Sequence, residues 1–425
     1  MQPARPITTA ALTLLLYGYA QAAAPGYTFT ILAQTGDTIG GKVLTGVGHP
    51  VINNEGTVVF LGTFEGGSGI FTIAKLLVQT GDTVGGETLT SISQLAMNNS
   101  GTVAFVGGFA GGTGIFTPSA LLIKTGDVIS GKTLLSISDF PSLRIGINDA
   151  GTVVFEATFT PFGDYPYLGK GVFTNSSLAL AYDSATGLRD PQISNTGTVI
   201  VAGDAGGSLN FIATQSGFIV AEGFDGFVFD YPAINNAGSI AFVCAFGVCT
   251  TNSGRWGNGT TISGQTLINF LADSPPALND AGTLVFAAGF GTDPSLGPEA
   301  TGIFTASELL VSSDDTIAGK ALAFNFPYHP YIAINNSGTI VFNAGFSDGT
   351  SGIIMATPIS TGVAGDVNGD GIADCADLGI IKVSLSKTYG QVGFDPRADI
   401  NGDGLIDIRD LAFVAQHLSA STSCP

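Results

Sequence analysis

Between residues 27 and 357 short apolar runs alternate with punctuation rich in glycine and asparagine. The clearest element is Asn-x-x-Gly followed by an apolar run, first seen as Asn53-Asn54-Glu55-Gly56-Thr57-Val58-Val59-Phe60. Further copies place their glycine at Gly101, Gly151, Gly197, Gly238, Gly282 and Gly338, so seven copies recur at intervals of 41 to 56 residues. Glycine takes positive φ freely, and asparagine tolerates left-handed geometry while bonding its own backbone, so the element reads as a turn entering a strand. Val58-Val59-Phe60-Leu61 is apolar on consecutive positions, which predicts a strand buried on both faces. The unit continues through Gly69-Ile70-Phe71-Thr72, Leu76-Leu77-Val78-Gln79-Thr80-Gly81-Asp82, the turn Thr83-Val84-Gly85-Gly86, and Glu87-Thr88-Leu89-Thr90. Four β-rich stretches per unit, each bounded by Gly, Asn or Asp, carry the signature of strands and hairpins.

Such a unit must stack against copies of itself, either as a closed propeller or as an open solenoid. Seven copies suit closure, since propellers typically hold about 4–8 blades. The repeats begin mid-unit at Tyr27-Thr28-Phe29-Thr30 and end mid-unit at Gly352-Ile353-Ile354-Met355. The two partial units are complementary, so strands from both ends are expected to complete one blade. The expectation is an all-β seven-bladed propeller over residues 23–357, followed by a small α-helical module over 365–425, with 358–364 as linker. The repeat region resembles secreted bacterial proteins built from tandem NxxGxxxF repeats. That resemblance implies export and a repeated β fold, without an activity.

Charge narrows the function classes. Asp and Glu number 33 against 14 Lys and Arg, a net charge of -19. Nucleic-acid binding, which needs clustered cations to displace counterions, is excluded as an expectation. Only 11% of residues are charged and 61 are glycine, which disfavours long solvated helices and disorder alike. Arg5, the apolar stretch Ile7 to Ala20 and the small residues of Ala20-Gln21-Ala22 read as a secretory signal over 1–22, the alternative being an uncleaved anchor. No later run reaches the ~18 apolar residues of a spanning helix, so the mature chain is expected to have no transmembrane segment. Of four cysteines, Cys244 and Cys249 are placed to bridge a hairpin, and a Cys375–Cys424 bond would close a loop worth roughly 4 kcal/mol on the chain-entropy estimate. The alternative for each pair is reduced thiols in a cytosolic protein.

The chemistry that can be named lies near the C-terminus. Asp366-Val367-Asn368-Gly369-Asp370-Gly371 opens a twelve-residue loop ending at Asp377, and Asp399-Ile400-Asn401-Gly402-Asp403-Gly404 opens another ending at Asp410. Oxygen side chains at positions 1, 3, 5 and 12 with glycine at 6 match the EF-hand calcium loop. The expected ligands are Asp366, Asn368, Asp370 and Asp377 in the first loop, with Asp399, Asn401, Asp403 and Asp410 in the second. Position 7 would offer the carbonyls of Ile372 and Leu405, and position 9 holds Asp374 and Asp407, acting through water. Two calcium ions are expected; the alternative is a pair of Asp/Asn/Gly turns without metal. Residues 364–425 hold nine Asp, no Glu and four Lys and Arg, so two Ca²⁺ ions would bring a net -5 close to neutrality.

Two features depart from the EF-hand. Position 12 is Asp rather than Glu, and no helix precedes either loop. Each loop is followed by an apolar stripe, Leu378, Ile381 and Leu385, then Leu411, Val414 and Leu418. Two loop-then-helix units offset by 33 residues, with Phe394-Asp395-Pro396-Arg397-Ala398-Asp399 before the second, resemble a type I dockerin. The resemblance implies a cohesin-type partner on a scaffold or cell surface. Family recognition positions 10 and 11 are here Cys375-Ala376 and Ile408-Arg409, unlike the hydroxyl-rich pairs common in cellulosomal dockerins.

Enzymatic signatures are sparse. The sequence holds no G-x-S-x-G, H-E-x-x-H or Walker loop. His49 and His329 lie just upstream of turns in the first and last units, and His417 follows the second module helix. Asp37, Asp82 and Asp127 recur in Thr-Gly-Asp and Asp315 in a related turn, which points to turn formation. Asp164 and Asp293 sit in irregular insertions, and Trp256 is either a stacking platform or a blade-packing residue. The reading is therefore a secreted binding or structural propeller on a calcium-dependent tether. The alternative is a glycoside hydrolase or lyase of a polysaccharide-degrading complex, with paired carboxylates placed across a sugar. Polysaccharide is then the further partner.

Overall fold

The computed structural model describes residues 26–137, 144–162, 167–183, 186–205, 209–223, 230–244, 247–252, 254–270, 274–292, 297–324, 330–359, 364–368, 372–389, 391–400, 404–418 and 424. Seven antiparallel sheets succeed one another along the chain, one for each sequence repeat. Blade 1 runs from Lys42–Ile52 through Val58–Phe64 and Gly67–Thr72 to Leu76–Gln79, and the following blades repeat that order.

Consecutive apolar positions are explained by what flanks each blade. Val58 and Phe60 pack with Val341, Ile353 and Met355 of blade 7, while Val59, Ile70 and Val78 pack with Leu89, Phe105 and Phe116 of blade 2. Both faces of the strand are thus interior, and polar alternation is lost. A Phe pair recurs at matched positions, as Phe60–Phe71, Phe105–Phe116, Phe155–Phe173 and Phe286–Phe304, with ring centroids 5.6 to 6.1 Å apart.

The ring closes as the partial units predict. Tyr27–Gln34 pairs antiparallel with Ser351–Pro358, from Tyr27 opposite Pro358 to Gln34 opposite Gly352. The seventh blade therefore takes its outermost strand from the start of the repeats and the rest from their end. The innermost strands form their own circle. Lys42–Ile52 lies against Glu87–Met97 on one side and Ile332–Ile334 on the other, and contacts continue through Gly146–Ile147, Thr186–Ile193, Asp230–Ile234 and Ala277–Leu278.

The C-terminal module has two helices, α1 (Cys375–Ser384) and α2 (Ile408–His417), with a short 3₁₀ turn at Pro396–Ala398. Leu378, Ile381, Ala398, Ile406 and Val414 form its core, and Leu411 and Leu418 pack against it. Leu385 does not continue the stripe read from the sequence. Helix α1 ends at Ser384, and Leu385, with φ -57° and ψ 138°, turns outward, while Ser384 takes the buried place. Both disulfides are formed, Cys244–Cys249 and Cys375–Cys424, with Cα atoms 5.8 and 5.3 Å apart.

Candidate functional site

In the module each loop is closed by its last carboxylate. Asp377 is fully buried, and its Oδ1 accepts from the N–H groups of Val367 and Asn368 at 2.7 and 2.9 Å. Its Oδ2 accepts from Asp374 N–H at 2.8 Å, which makes Asp377 the third residue of a capping box on α1. Asp410 repeats this, accepting from Ile400 N–H at 3.0 Å and from Asp407 N–H at 2.9 Å as the capping-box residue of α2. Here lies the structural use of Asp at position 12. It ties the first residues of the loop to the first turn of the helix, and two N-caps, Asp374 and Asp407, occupy position 9.

Gly404, at φ +79°, turns its N–H to Asp399 Oδ2 at 2.8 Å, a left-handed bend that a side chain would strain. Gly369, Asp370, Gly371, Asn401 and Asp403 lie outside the described residues, and no three acidic or imidazole groups converge among those that are described. The donor set still fits a hard divalent cation. Asp366 is nearly buried beside the fully buried Asp377, and a carboxylate that accepts three N–H groups keeps lone-pair capacity for more.

The two recognition pairs are unequal. Cys375 is bonded to Cys424, whereas Ile408 stands 66% exposed at the start of α2 beside Arg409, whose guanidinium pairs with Asp407 at 2.8 Å. His417 turns back on its own helix, with Nδ1 2.7 Å from Phe413 O.

In the propeller the Asn-x-x-Gly turns join the blades into a girdle. Within each turn the anchor side chain accepts from the residue four places on, as Asn98 Oδ1 does from Thr102 N–H at 2.8 Å. Its amide reaches the next blade, Asn98 Nδ2 donating to Asn148 O at 3.0 Å and Asn335 Nδ2 to Asn53 O at 3.2 Å across the closure. The following residue makes an unbroken circuit of N–H to side-chain oxygen bonds. It runs from Asn54 to Asn99, Asp149, Asn195, Asn236, Asp280 and Asn336 and returns to Asn54, at 2.7 to 3.1 Å. The fourth anchor is Ser194, whose hydroxyl keeps the turn bond to Thr198 N–H.

The Thr-Gly-Asp carboxylates form turns as expected. Asp37, Asp82, Asp127 and Asp315 each accept from the N–H three residues earlier at 2.8 to 2.9 Å. Trp256 is a packing residue, its Nε1–H donating to Ala306 O of the next blade at 3.0 Å. Asp164, Asp293 and His329 lie outside the described residues.

Beside His49, which the sequence had singled out, sequence reading passed over a set of groups on the inner strands. Seven residues before each turn glycine, one residue stands in the inner strand or within two residues of its start. Blades 1 to 4 supply His49, Gln94, Arg144 and Asp190, and blades 5 to 7 supply Tyr231, Pro275 and Tyr331. Four of these have positive φ without being glycine: His49 at 48°, Gln94 at 44°, Asp190 at 54° and Tyr231 at 49°. Each of the four lies at an irregularity in strand pairing, between Gly48 and Val51 in blade 1 for example. His49 stacks on Tyr331 with ring centroids 3.7 Å apart, and burial pushes its imidazole down to about 4.

Arg144 is partly buried and gives Nη2–H to Pro232 O at 2.8 Å, while its Nε lies 4.0 Å from Asp190 Oδ1. Burial raises Asp190 to about 7 against the opposing pull of Arg144. Behind them Arg189 spans Asp204 at 3.1 Å and Asp230 at 3.0 Å. A cavity of about 220 Å³ opens here, walled by Ile52, Leu95 and Ile332 and reached by His49, Gln94 and Arg144. The signal was present in the repeats. Aligned on the turn glycine, the blades agree at the turn and differ at the seventh residue before it.

Residues 364–419 match the type I dockerin domain, and residues 17–187 match a family of unknown function, DUF7453. No curated protein matches the chain. Among solved structures, a catalytically inactive virginiamycin B lyase from Staphylococcus aureus is 14% identical with a TM-score of 0.40, covering 77% of this chain and 99% of that one. Prolyl oligopeptidase B from Galerina marginata is 9% identical with a TM-score of 0.42, covering 76% and 48%. At these values neither likeness carries an argument about this chain.

Proposed function

From a chain whose residues 364–419 form a type I dockerin domain, we propose a propeller that serves as a binding or structural component of a cohesin-assembled complex, tethered through a calcium-dependent module. The observation that carries it is the pair of loops closed by the buried Asp377 and Asp410, each feeding directly into a helix. Type I dockerins typically bind calcium, and the site here would be built from Asp366, Asn368, Asp370, Asp377 and the Ile372 carbonyl, with Asp399, Asn401, Asp403, Asp410 and the Leu405 carbonyl in the second loop. Asp374 and Asp407 act from position 9 through water. When bound, calcium supplies the positive charge that lets these carboxylates sit together, so metal uptake and folding of the module are coupled. The chain's own hydrogen bonds set the loop entry and the helix start.

Docking is assigned to the α2 face. Ile408 is exposed there, while the corresponding Cys375 is committed to a disulfide. Dockerin domains belong to extracellular or cell-surface complexes, and residues 1–22 are read as the export signal. Two formed disulfides support an oxidising compartment. No helix among the described residues is long and apolar enough to cross a membrane.

The test is calcium titration calorimetry on the full chain. Two saturable sites are expected, one lost in Asp366→Ala and the other in Asp399→Ala, with no heat of binding overturning the reading. On calcium-loaded protein, Ile408→Asp should weaken capture by immobilised type I cohesins at least tenfold while Ala376→Ser changes it little. Equal effects of the two would remove the assignment to α2.

A further inference from the structure

A position that serves only ring geometry repeats from blade to blade, as the turn asparagines do. The seven residues that stand seven before each turn glycine do the opposite, and five of them, His49, Gln94, Arg144, Pro275 and Tyr331, line the axial cavity. Four are held at positive φ in a chain that has 61 glycines and places many of them at positive φ elsewhere. Retaining His49, Gln94, Asp190 and Tyr231 there keeps a side chain against the preference of the backbone. Such outliers gather at ligand sites.

Polar capacity is also unspent at this level. Arg144 Nε and both carboxylate oxygens of Asp190 have no hydrogen-bond partner, and Asp190 is 1% exposed. At 4.0 Å the two are too far apart to satisfy each other by a hydrogen bond. Arg144 and Arg189 are set against Asp190, Asp204 and Asp230, so cations and carboxylates are interleaved beside the cavity and neither sign stands alone. The side chains that reach it, a guanidinium, the amides of Gln94 and Gln192 and an imidazole, mix donors with acceptors over apolar walls of Val51, Ile52 and Leu95. A hydroxyl group both gives and accepts and so matches such a set. At about 30 Å³ per water molecule the cavity has room for roughly seven waters.

We infer that the axial cavity binds an uncharged, hydroxyl-rich molecule the size of one sugar ring, held by Arg144, Gln94 and His49, with Asp190 as the positioning residue behind Arg144. His49, stacked on Tyr331, stays neutral near pH 7 and offers one donor and one acceptor without adding charge. The inference gives the binding role proposed for the propeller a site and a ligand class, and in that sense rests on it. It stands apart from docking, which the C-terminal module performs.

The test is calorimetric titration of the full chain with D-glucose, D-xylose and myo-inositol as probes, and with acetate and D-glucuronate as charged counterparts. One neutral probe should bind saturably, one per chain, with Gln94→Gly and Arg144→Met each weakening it at least tenfold. Gln94→Gly relieves the left-handed φ of position 94 but also removes a buried side chain, so its thermal midpoint is measured alongside, and a midpoint close to the parent's separates loss of binding from loss of fold. Silence from all three neutral probes would falsify the inference, as would tighter binding of a charged probe or undiminished binding by Gln94→Gly. Cohesin capture by the same preparations, retained throughout, separates this outcome from failure of the tether.

Discussion

Asp190 shows at the scale of one residue what the axis costs the fold. Burial disfavours its charged form, and the neighbouring Asp230 adds repulsion, while Arg144 and Arg189 pull the other way and only partly offset this. The folded carboxyl titrates at about 7, against about 4 for an unfolded aspartate. Between these values the native state holds a proton the unfolded chain releases, so the contribution of Asp190 to stability is greatest at low pH and is lost as pH rises through the window, by up to about 1.4 kcal/mol per unit. His49 acts with the opposite sign. Its depressed pKa costs stability as pH falls from about 6.5 toward 4. Urea unfolding at about pH 5 and about pH 8 should therefore show Asp190→Asn gaining on the parent as pH rises. Parallel profiles would sink the assignment. None of this was legible in the sequence, because left-handed backbone is sought at glycine and asparagine, and here it falls on His, Gln, Asp and Tyr.

The element that was legible is the turn. Asparagine anchors the Asn-x-x-Gly unit for a reason local sequence reading supplies, the side-chain bond to the backbone four residues on. Its second duty, giving Nδ2–H to the neighbouring blade, depends on the ring and could be seen only in three dimensions. The fourth blade separates the two, because Ser194 keeps the first bond and has no amide for the second. Asn98→Ala loses both and leaves buried backbone groups without partners, a cost of about 1–3 kcal/mol. Ser194→Asn adds an inter-blade bond and is expected to raise stability by roughly 0.5–1.5 kcal/mol. Denaturant midpoints of the two variants, moving in opposite directions with unchanged slope, check the pair; a shift of Ser194→Asn toward lower denaturant counts against the girdle. In the C-terminal module the loop spacing was equally plain, but the end of α1 was not. Apolar spacing carried the stripe on to Leu385, one residue past the place where the helix stops.

At the scale of the molecule, the seven-fold count and the two partial units made closure readable in advance. The circuit of turn bonds and the circle of inner strands both return to blade 1. Deleting residues 27–34 removes the outer strand of blade 7 and exposes the edge Ser351–Pro358, a long apolar strand of the kind that recruits other chains. That variant is expected to lose a single cooperative unfolding transition and to aggregate at concentrations where the parent does not, as scattering and denaturant melts will show. Monodisperse, cooperatively folding material would mean that the girdle alone closes the ring.

The strand Ser351–Pro358 is also the one from which the chain leaves toward the dockerin. It is flanked by Tyr27–Gln34 on one side and by Ile340–Phe346 on the other. Drag on a tethered propeller therefore enters at Pro358 and runs along a strand gripped at both edges. Tension in that direction loads the ladders in shear, so their bonds resist together instead of peeling one at a time. Docking through a terminus sewn into its own ring makes the anchorage point a mechanically strong one.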